Sequence, residues 1–282
     1  MKRTALLLVL STLAAPGQST ISPADKFGYG PNFGWINFRP SPADGVVVQE
    51  TCLAGRAWSA NFGWMDLGDG TPANGHTYSN SSAADYGVNL SASGRLTGSA
   101  WMPNLGWITF EQTHGQPRVD LLTGLFSGSA WSSNAGWLRF DTDQSGMRTT
   151  SIAIADTDND GLGDAWELLH FNNLTAANAT TNADSDPASD LDEYRAGTAP
   201  SDPASWLQVT SQALAPSGNS VTLLFTTAPA RLYRIESSTD LQTWTAAGDA
   251  FAPDAGPVTE KTISITAGPR RYFRVSALRP LP

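Results

Sequence analysis

The chain has 282 residues, with 17 Lys and Arg against 26 Asp and Glu, a formal net charge of −9 and a single cysteine. This acidic balance argues against nucleic acid as a partner, because a phosphate backbone is held by clustered basic groups. One cysteine excludes an internal disulfide, so an exported chain of this composition must be held by core packing, metal ions or both.

Met1, Lys2 and Arg3 precede the apolar run Ala5 to Leu10, and small residues follow at Ala14, Ala15, Gly17 and Ser19. That layout predicts a secretory signal peptide over residues 1–19. The apolar run is shorter than the ~20 residues a membrane span needs, and no later stretch approaches that length. The expected mature protein is secreted or held at the extracellular cell surface, with no membrane span after signal removal. Cys52 precedes Leu53 in a predicted strand and has no cationic neighbour in sequence, so it is expected to be a buried, inert thiol.

The next segment is internally repetitive. Gly98 to Phe110 (GSAWMPNLGWITF) matches Gly128 to Phe140 (GSAWSSNAGWLRF), a third copy runs from Gly55 to Leu67, and the first, Gly28 to Phe38, has Tyr29 in place of the leading tryptophan. Seven of the ten tryptophans lie in this pattern, and the second tryptophans are 29, 43 and 30 residues apart. The longer interval carries a Gly/Asn/Ser-rich insert, Gly68 to Asp85, that reads as an exposed loop. Physically, W-x-x-N-x-G-W-φ-x-φ (φ apolar) is two strands around a turn, with Asn and Gly supplying the unusual backbone angles and the aromatics facing each other across the hairpin. With the upstream strand pattern each copy makes a meander of about three strands. Stacking as a solenoid, radial closure and sandwich packing are all compatible with four such units. Burying a tryptophan ring removes ~150–250 Å² from water, so the aromatics are expected to form the core of each repeat. Exposed in a row, Trp58, Trp101 and Trp131 would instead offer a glycan-binding surface.

Between residues 156 and 167 the chain reads DTDNDGLGDAWE. Its spacing is that of a twelve-residue calcium loop, in which oxygens at positions 1, 3, 5, 7, 9 and 12 surround a hard cation and glycine at 6 permits the sharp turn. The candidate ligands are Asp156, Asp158, Asp160, the carbonyl of Leu162, Asp164 and Glu167. The approach, Thr149 to Ala155, is β-like, and the exit, Ala165 to Phe171, predicts a short helix with Trp166, Leu169 and His170 inward. A second loop on the same register offers Asn182, Asp184, Asp186, the carbonyl of Ala188, Asp190 and Glu193, with Pro187 in place of the glycine. Strand patterns then recur at Val221 to Phe225, Leu232 to Ser237, Thr243 to Ala246, Lys261 to Ile265 and Arg271 to Val275, as in a small β-sandwich.

The segment from Asp156 to Pro203 resembles the calcium-binding segments similar to thrombospondin type 3 repeats in bacterial extracellular proteins. There the second loop usually has Gly where this chain has Pro187, and Asp where it has Ala199. The tail, with Tyr233 to Leu241, Trp244 and Tyr272 to Val275, resembles C-terminal modules of the fibronectin/immunoglobulin-like type. The A-W-x-x-N-x-G-W-I-x-F copies resemble a repeat of bacterial surface proteins without an assigned activity.

The expected fold is mainly β: a β-meander repeat domain over 25–147, a calcium-loop segment with a short helix over 156–203, and a small β-sandwich over 205–280. His76, His114 and His170 are scattered, and neither H-E-x-x-H nor G-x-S-x-G occurs, so no catalytic residues are assigned. The expected function is a calcium-binding structural or adhesion protein without catalytic activity, whose partners are cell-surface polysaccharide or other surface proteins. The alternative is a carbohydrate-binding module that uses the repeat tryptophans.

Overall fold

A computed structural model describes residues 18–142, 145–265 and 270–281. Residues 1–17 of the expected signal peptide lie outside the described residues. The protein is mainly β. Ser19 and Thr20 are buried, and the first strand begins at Ile21, so the folded repeat unit starts ahead of residue 25.

The first repeat is the hairpin β1 (Ile21–Gly30) and β2 (Gly34–Asn37). The second comprises β3 (Val46–Val48), β4 (Leu53–Ser59) and β5 (Gly63–Asp66), and the third β6 (Val88–Leu90), β7 (Leu96–Met102) and β8 (Gly106–Thr109). The fourth comprises β9 (Arg118–Val119), β10 (Phe126–Ser127), β11 (Ser129–Ser132) and β12 (Gly136–Arg139), followed by β13 (Asp141–Thr142) and β14 (Ser145–Thr149). The repeats close radially. β1, β2, β4, β5, β7, β8, β11 and β12 form an antiparallel ring sealed by β12 against β1. β14 returns to pair with the first half of β1, where β3 and β6 pair with β4 and β7.

The register defines the barrel. Within hairpins Tyr29 faces Trp35, Trp58 faces Trp64, Trp101 faces Trp107 and Trp131 faces Trp137. Between hairpins Trp58 faces Asn37, Trp101 faces Asp66, Trp131 faces Thr109 and Tyr29 faces Arg139. Each of these partners lies two residues past the preceding hairpin's second aromatic. The ladder thus steps two residues at each of four junctions, eight around the ring. Eight strands with a shear of eight are inclined about 36° to the barrel axis and enclose a space that side chains alone can fill. The stagger matches the inclination, so the four aromatic pairs sit at one level of the wall.

The interior is layered. Gly28, Ala57, Ala100 and Ala130 point inward opposite Ile36, Met65, Ile108 and Leu138, alternating small and large around the ring as a narrow barrel requires. Below them Phe38, Leu67, Phe110 and Phe140 fill one end, with Phe110 stacked on Phe140 at 5.7 Å. Above them the turn residues Phe33, Leu105 and Ala135 are buried, and Phe62 packs beside Phe33 at 6.1 Å. The tryptophans are therefore not the core of the repeats, contrary to the expectation from their size. Side chains alternate along a strand, so alanines facing inward put the adjacent tryptophans on the outer wall.

Each turn asparagine reaches a neighbouring turn. Asn61 donates to the Phe33 carbonyl (3.2 Å), Asn104 to Phe62 (3.1 Å), Asn134 to Leu105 (2.7 Å) and Asn32 to Ala135 (3.1 Å). These four bonds form a closed circuit at one end of the barrel. Gly34, Gly63, Gly106 and Gly136 end the turns with φ between 68° and 96°, a region that costs glycine little and other residues more. The insert after β5 is mostly exposed but pinned by the buried Tyr78, whose hydroxyl accepts from the Gly70 N–H (2.5 Å) and donates to Asp69 (3.2 Å).

Helices α1 (Asp164–Phe171) and α2 (Asp190–Ala196) carry the acidic segment. The C-terminal unit packs β15 (Val209–Leu214), β16 (Ser220–Thr226) and β19 (Val258–Ser264) against β17 (Leu232–Ser238), β18 (Thr245–Ala246) and β20 (Tyr272–Leu278). Val221, Leu223, Phe225, Tyr233, Ile235 and Ile263 form its core. β15, fully exposed, was not expected from the sequence pattern.

Because the barrel interior is filled, Ala130→Leu is expected to destabilise the unit by roughly 1–3 kcal/mol through overpacking. Asn134→Ala should cost about 1 kcal/mol, the net worth of one hydrogen bond. Equilibrium urea denaturation measures both, and a neutral Ala130→Leu would contradict a closed, filled barrel.

Candidate metal centres and the joint between the β units

Asp156, Asp158 and Asp160 each bring a carboxylate oxygen within 4.8 Å of the others, as do Asp184, Asp186 and Glu193. Both loops are held by the same local bonds. The Leu162 N–H donates to Asp160 Oδ1 (2.8 Å) and the Ala188 N–H to Asp186 Oδ1 (2.7 Å). Asp164 accepts from the Thr157 N–H (2.7 Å) and Asp190 from that of Ala183 (3.1 Å), each tying a helix start to the head of its loop. Asn159 and Ser185, both fourth in their loops, take positive φ. The loops diverge at position six, where Gly161 has φ 96° and Pro187 is confined to negative φ. The proline nonetheless leaves the second set of carboxylates clustered.

Two glutamates stand out. Glu167 and Glu193 are both 0% exposed. Both carboxylate oxygens of Glu167, together with Asp160 Oδ2, Asp184 Oδ2, Asp186 Oδ2 and Glu193 Oε2, are buried without a hydrogen-bond partner. Burial first, and then the charges of Asp160, Asp158, Asp164 and Asp156, push the Glu167 carboxyl up to about 7. Burial, followed by Asp184 and Asp186, does the same for Glu193, also about 7, although Thr198 donates to it. An unpaired buried carboxylate is costly, and here each faces further carboxylates. A hard divalent cation removes that cost, and an all-oxygen donor set suits one.

Not every expected ligand joins these groups. Both Asp164 oxygens bond to Thr157, at 2.7 and 2.6 Å, and Asn182 turns within its loop to donate to the Asp186 carbonyl (2.6 Å) and accept from the Ser185 N–H (2.7 Å). Leu162 places its side chain in a small core with Trp166, Ala177, Leu191 and Tyr194. In α1, Trp166 faces inward as expected, but Leu169 and His170 are exposed, and Phe171 packs against the core instead. The second helix was not expected from the sequence; in it Ser189 accepts from the Asp192 N–H (3.2 Å), and Gly197 closes the other end at φ 74°.

Sequence patterns gave no sign of the joint beside these loops. Arg279, from the end of the sandwich, pairs with Glu50 of the repeat unit at 2.8 Å and donates to the Tyr194 hydroxyl at 2.9 Å. Its guanidinium lies 3.9 Å from the centre of the Tyr194 ring. Arg231 donates to the carbonyls of Arg195 (2.8 Å) and Tyr194 (3.3 Å), and burial, with Arg279 nearby, lowers its pKa to about 10. A Cβ on Gly163, in the first loop, would strike Glu50 and the Tyr194 hydroxyl. All three parts of the chain thus meet on residues adjoining the two loops. Cys52 is buried, donates to Gln49 (3.1 Å) and has its thiol pushed up to about 12, mainly by burial, which leaves it a poor nucleophile.

Among the described residues no helix is long and apolar enough to cross a membrane. No family model, curated protein or solved structure matches the chain.

The raised glutamates set a pH dependence. In the metal-free chain both prefer their protons, so the segment is best ordered below the ordinary carboxylate pKa and loses stability as pH rises through about 7. A cation must displace those protons. Divalent-cation binding is expected to release protons at pH 6 and almost none at pH 8, with weaker apparent affinity at pH 6. Calorimetry in buffers of different ionisation enthalpy measures the release; equal proton release at both pH values would contradict this assignment.

Proposed function

We propose that this protein is a secreted or cell-surface structural and adhesion protein without catalytic activity, in which calcium orders the acidic segment and sets the orientation of its two β units. The observation that carries this reading is the pair of fully buried glutamates set among aspartates, Glu167 with neither carboxylate oxygen bonded and Glu193 with Oε2 unbonded. Calcium takes six to eight oxygen ligands and tolerates irregular geometry, which fits loops that mix carboxylates with the carbonyls of Leu162 and Ala188. Asp156, Asp158, Asp160 and Glu167 would hold one ion, and Asp184, Asp186 and Glu193 the other. The coupling to orientation is supported by Tyr194, which follows Glu193 in α2 and contacts Arg279 of the sandwich.

Calcium titration by calorimetry tests the assignment. The chain lacking residues 1–19 should bind two ions, with one lost in Glu167→Gln and the other in Glu193→Gln. Absence of binding in the parent chain would reject the reading. At free calcium 100-fold above the dissociation constant, each site adds about 2.7 kcal/mol to the segment's stability.

Limited proteolysis tests the coupling. In chelator, cleavage should fall between Ala155 and Trp206, and calcium should suppress it. Arg279→Ala should leave calcium binding intact while restoring mobility between the units, read as an increased radius of gyration by small-angle scattering. Equal resistance to protease with and without calcium would remove the coupling.

A further inference from the structure

We propose that the aromatic belt on the barrel wall binds neutral β-linked polysaccharide, each pair stacking on a pyranose ring of a separate chain, so that one molecule bridges several glycan strands. The rings within the four pairs lie 4.8–4.9 Å apart. Trp35, Trp58 and Trp107 remain 43%, 41% and 46% exposed. Third rings widen two of the pairs: Phe27 stands 6.1 Å from Trp35, and Tyr86 5.1 Å from Trp107, both edge-on. The barrel fills its interior without any of these side chains. Cross-strand aromatic contact adds only ~0.2–1 kcal/mol per pair to the sheet. A half-exposed indole in three of the four repeats, at the second aromatic position in Trp35 and Trp107 and at the first in Trp58, therefore exceeds what wall stability requires.

Shape and charge select the occupant. The residues that face the aromatics across the hairpin junctions are Asn37, Asp66, Thr109 and Arg139, two neutral hydrogen-bonding groups and one charge of each sign. Of the cations at the belt, Arg56 lies over Trp64 and faces Asp66 across the hairpin, Arg139 pairs with Asp141 at 3.7 Å and Lys26 lies over Phe27, while the whole chain, at −9, is repelled by anionic lipid or nucleic acid. Successive pairs are two strands apart, about 10 Å at ordinary strand spacing, around a tightly curved wall, and so face about a quarter turn apart. A flat bilayer or protein surface can meet only a fraction of such a belt. An equatorially substituted pyranose, in contrast, offers a narrow apolar face to one aromatic pair and a rim of hydroxyls to the neighbouring amide and hydroxyl groups. A straight glycan cannot follow the curvature, so different pairs engage different chains and avidity follows from their number.

The belt and the acidic loops share no residue, and the test is run with calcium and with chelator so that the two proposals fail independently. The full mature chain is electrophoresed through native gels containing hydroxyethylcellulose and sedimented with insoluble cellulose, β-1,3-glucan and chitin. Retardation or retention on at least one is expected, together with protection of tryptophan fluorescence from iodide. The combined Trp35→Ala, Trp58→Ala and Trp107→Ala variant should lose at least about tenfold in apparent affinity, as expected when multivalent contacts are removed. Trp107→Phe and Trp107→Leu, which keep the site apolar, separate stacking from folding: binding should persist with Phe and weaken with Leu. No binding to any of the four polysaccharides overturns the proposal, as does unchanged binding in the folded triple variant or equal binding by the Phe and Leu variants.

Discussion

The circuit of four asparagine amides is the constraint on which the repeat unit depends. Each amide reaches a carbonyl in a neighbouring turn, and the last bond joins Asn32 to Ala135 across 103 residues. Each of these bonds runs between turns and so forms only when the neighbouring hairpin is in place. The same dependence appears in the ladder, where β1 pairs with β2, β12 and β14 and thereby joins both ends of the unit. A ring closed in this way exposes no edge in its eight-stranded wall, and exposed edges are a recognised route to aggregation.

The acidic segment follows the opposite logic. Its own core is small, confined to Leu162, Trp166, Ala177, Leu191 and Tyr194, and so little apolar burial calls for reinforcement of another kind. Under the proposed cation binding, loops that bury glutamates among aspartates would be unfavourable when empty and favourable when filled, so their order would respond to the surroundings. Tyr194 contacts Arg279, and Arg279 contacts Glu50, so the loops adjoin the place where the barrel and the sandwich meet.

Much of this was legible in the sequence, and the remainder was hidden for identifiable reasons. The turns could be placed because Asn and Gly occupy positions whose backbone angles few other residues tolerate. The acidic loops could be placed because their oxygen spacing is specific, and the structure gathers six of the expected residues into two groups. The direction of the tryptophans could not be taken from hydrophobicity, since Trp107 and Ile108 are both apolar and adjacent, and alternation alone does not say which one faces inward. Likewise, Leu169 and His170 were expected inward in α1, and only the packing of Phe171 beside Trp166 at 5.6 Å shows where the inward face lies. The contact of Glu50 with Arg279 spans 229 residues and leaves no local pattern.

Volume decides what hydrophobicity leaves open. In a barrel of eight strands and shear eight, each inward layer admits large side chains only beside small ones. Gly28, Ala57, Ala100 and Ala130 occupy the small places, and a tryptophan in any of them would break the ring. The adjacent residues must then face out, whatever their apolarity. Interior packing and the asparagine circuit hold the barrel, the acidic loops adjoin the joint, and the outer wall is released from both tasks. Aromatic side chains kept on a wall that does not need them for closure are consistent with selection for recognition at that surface.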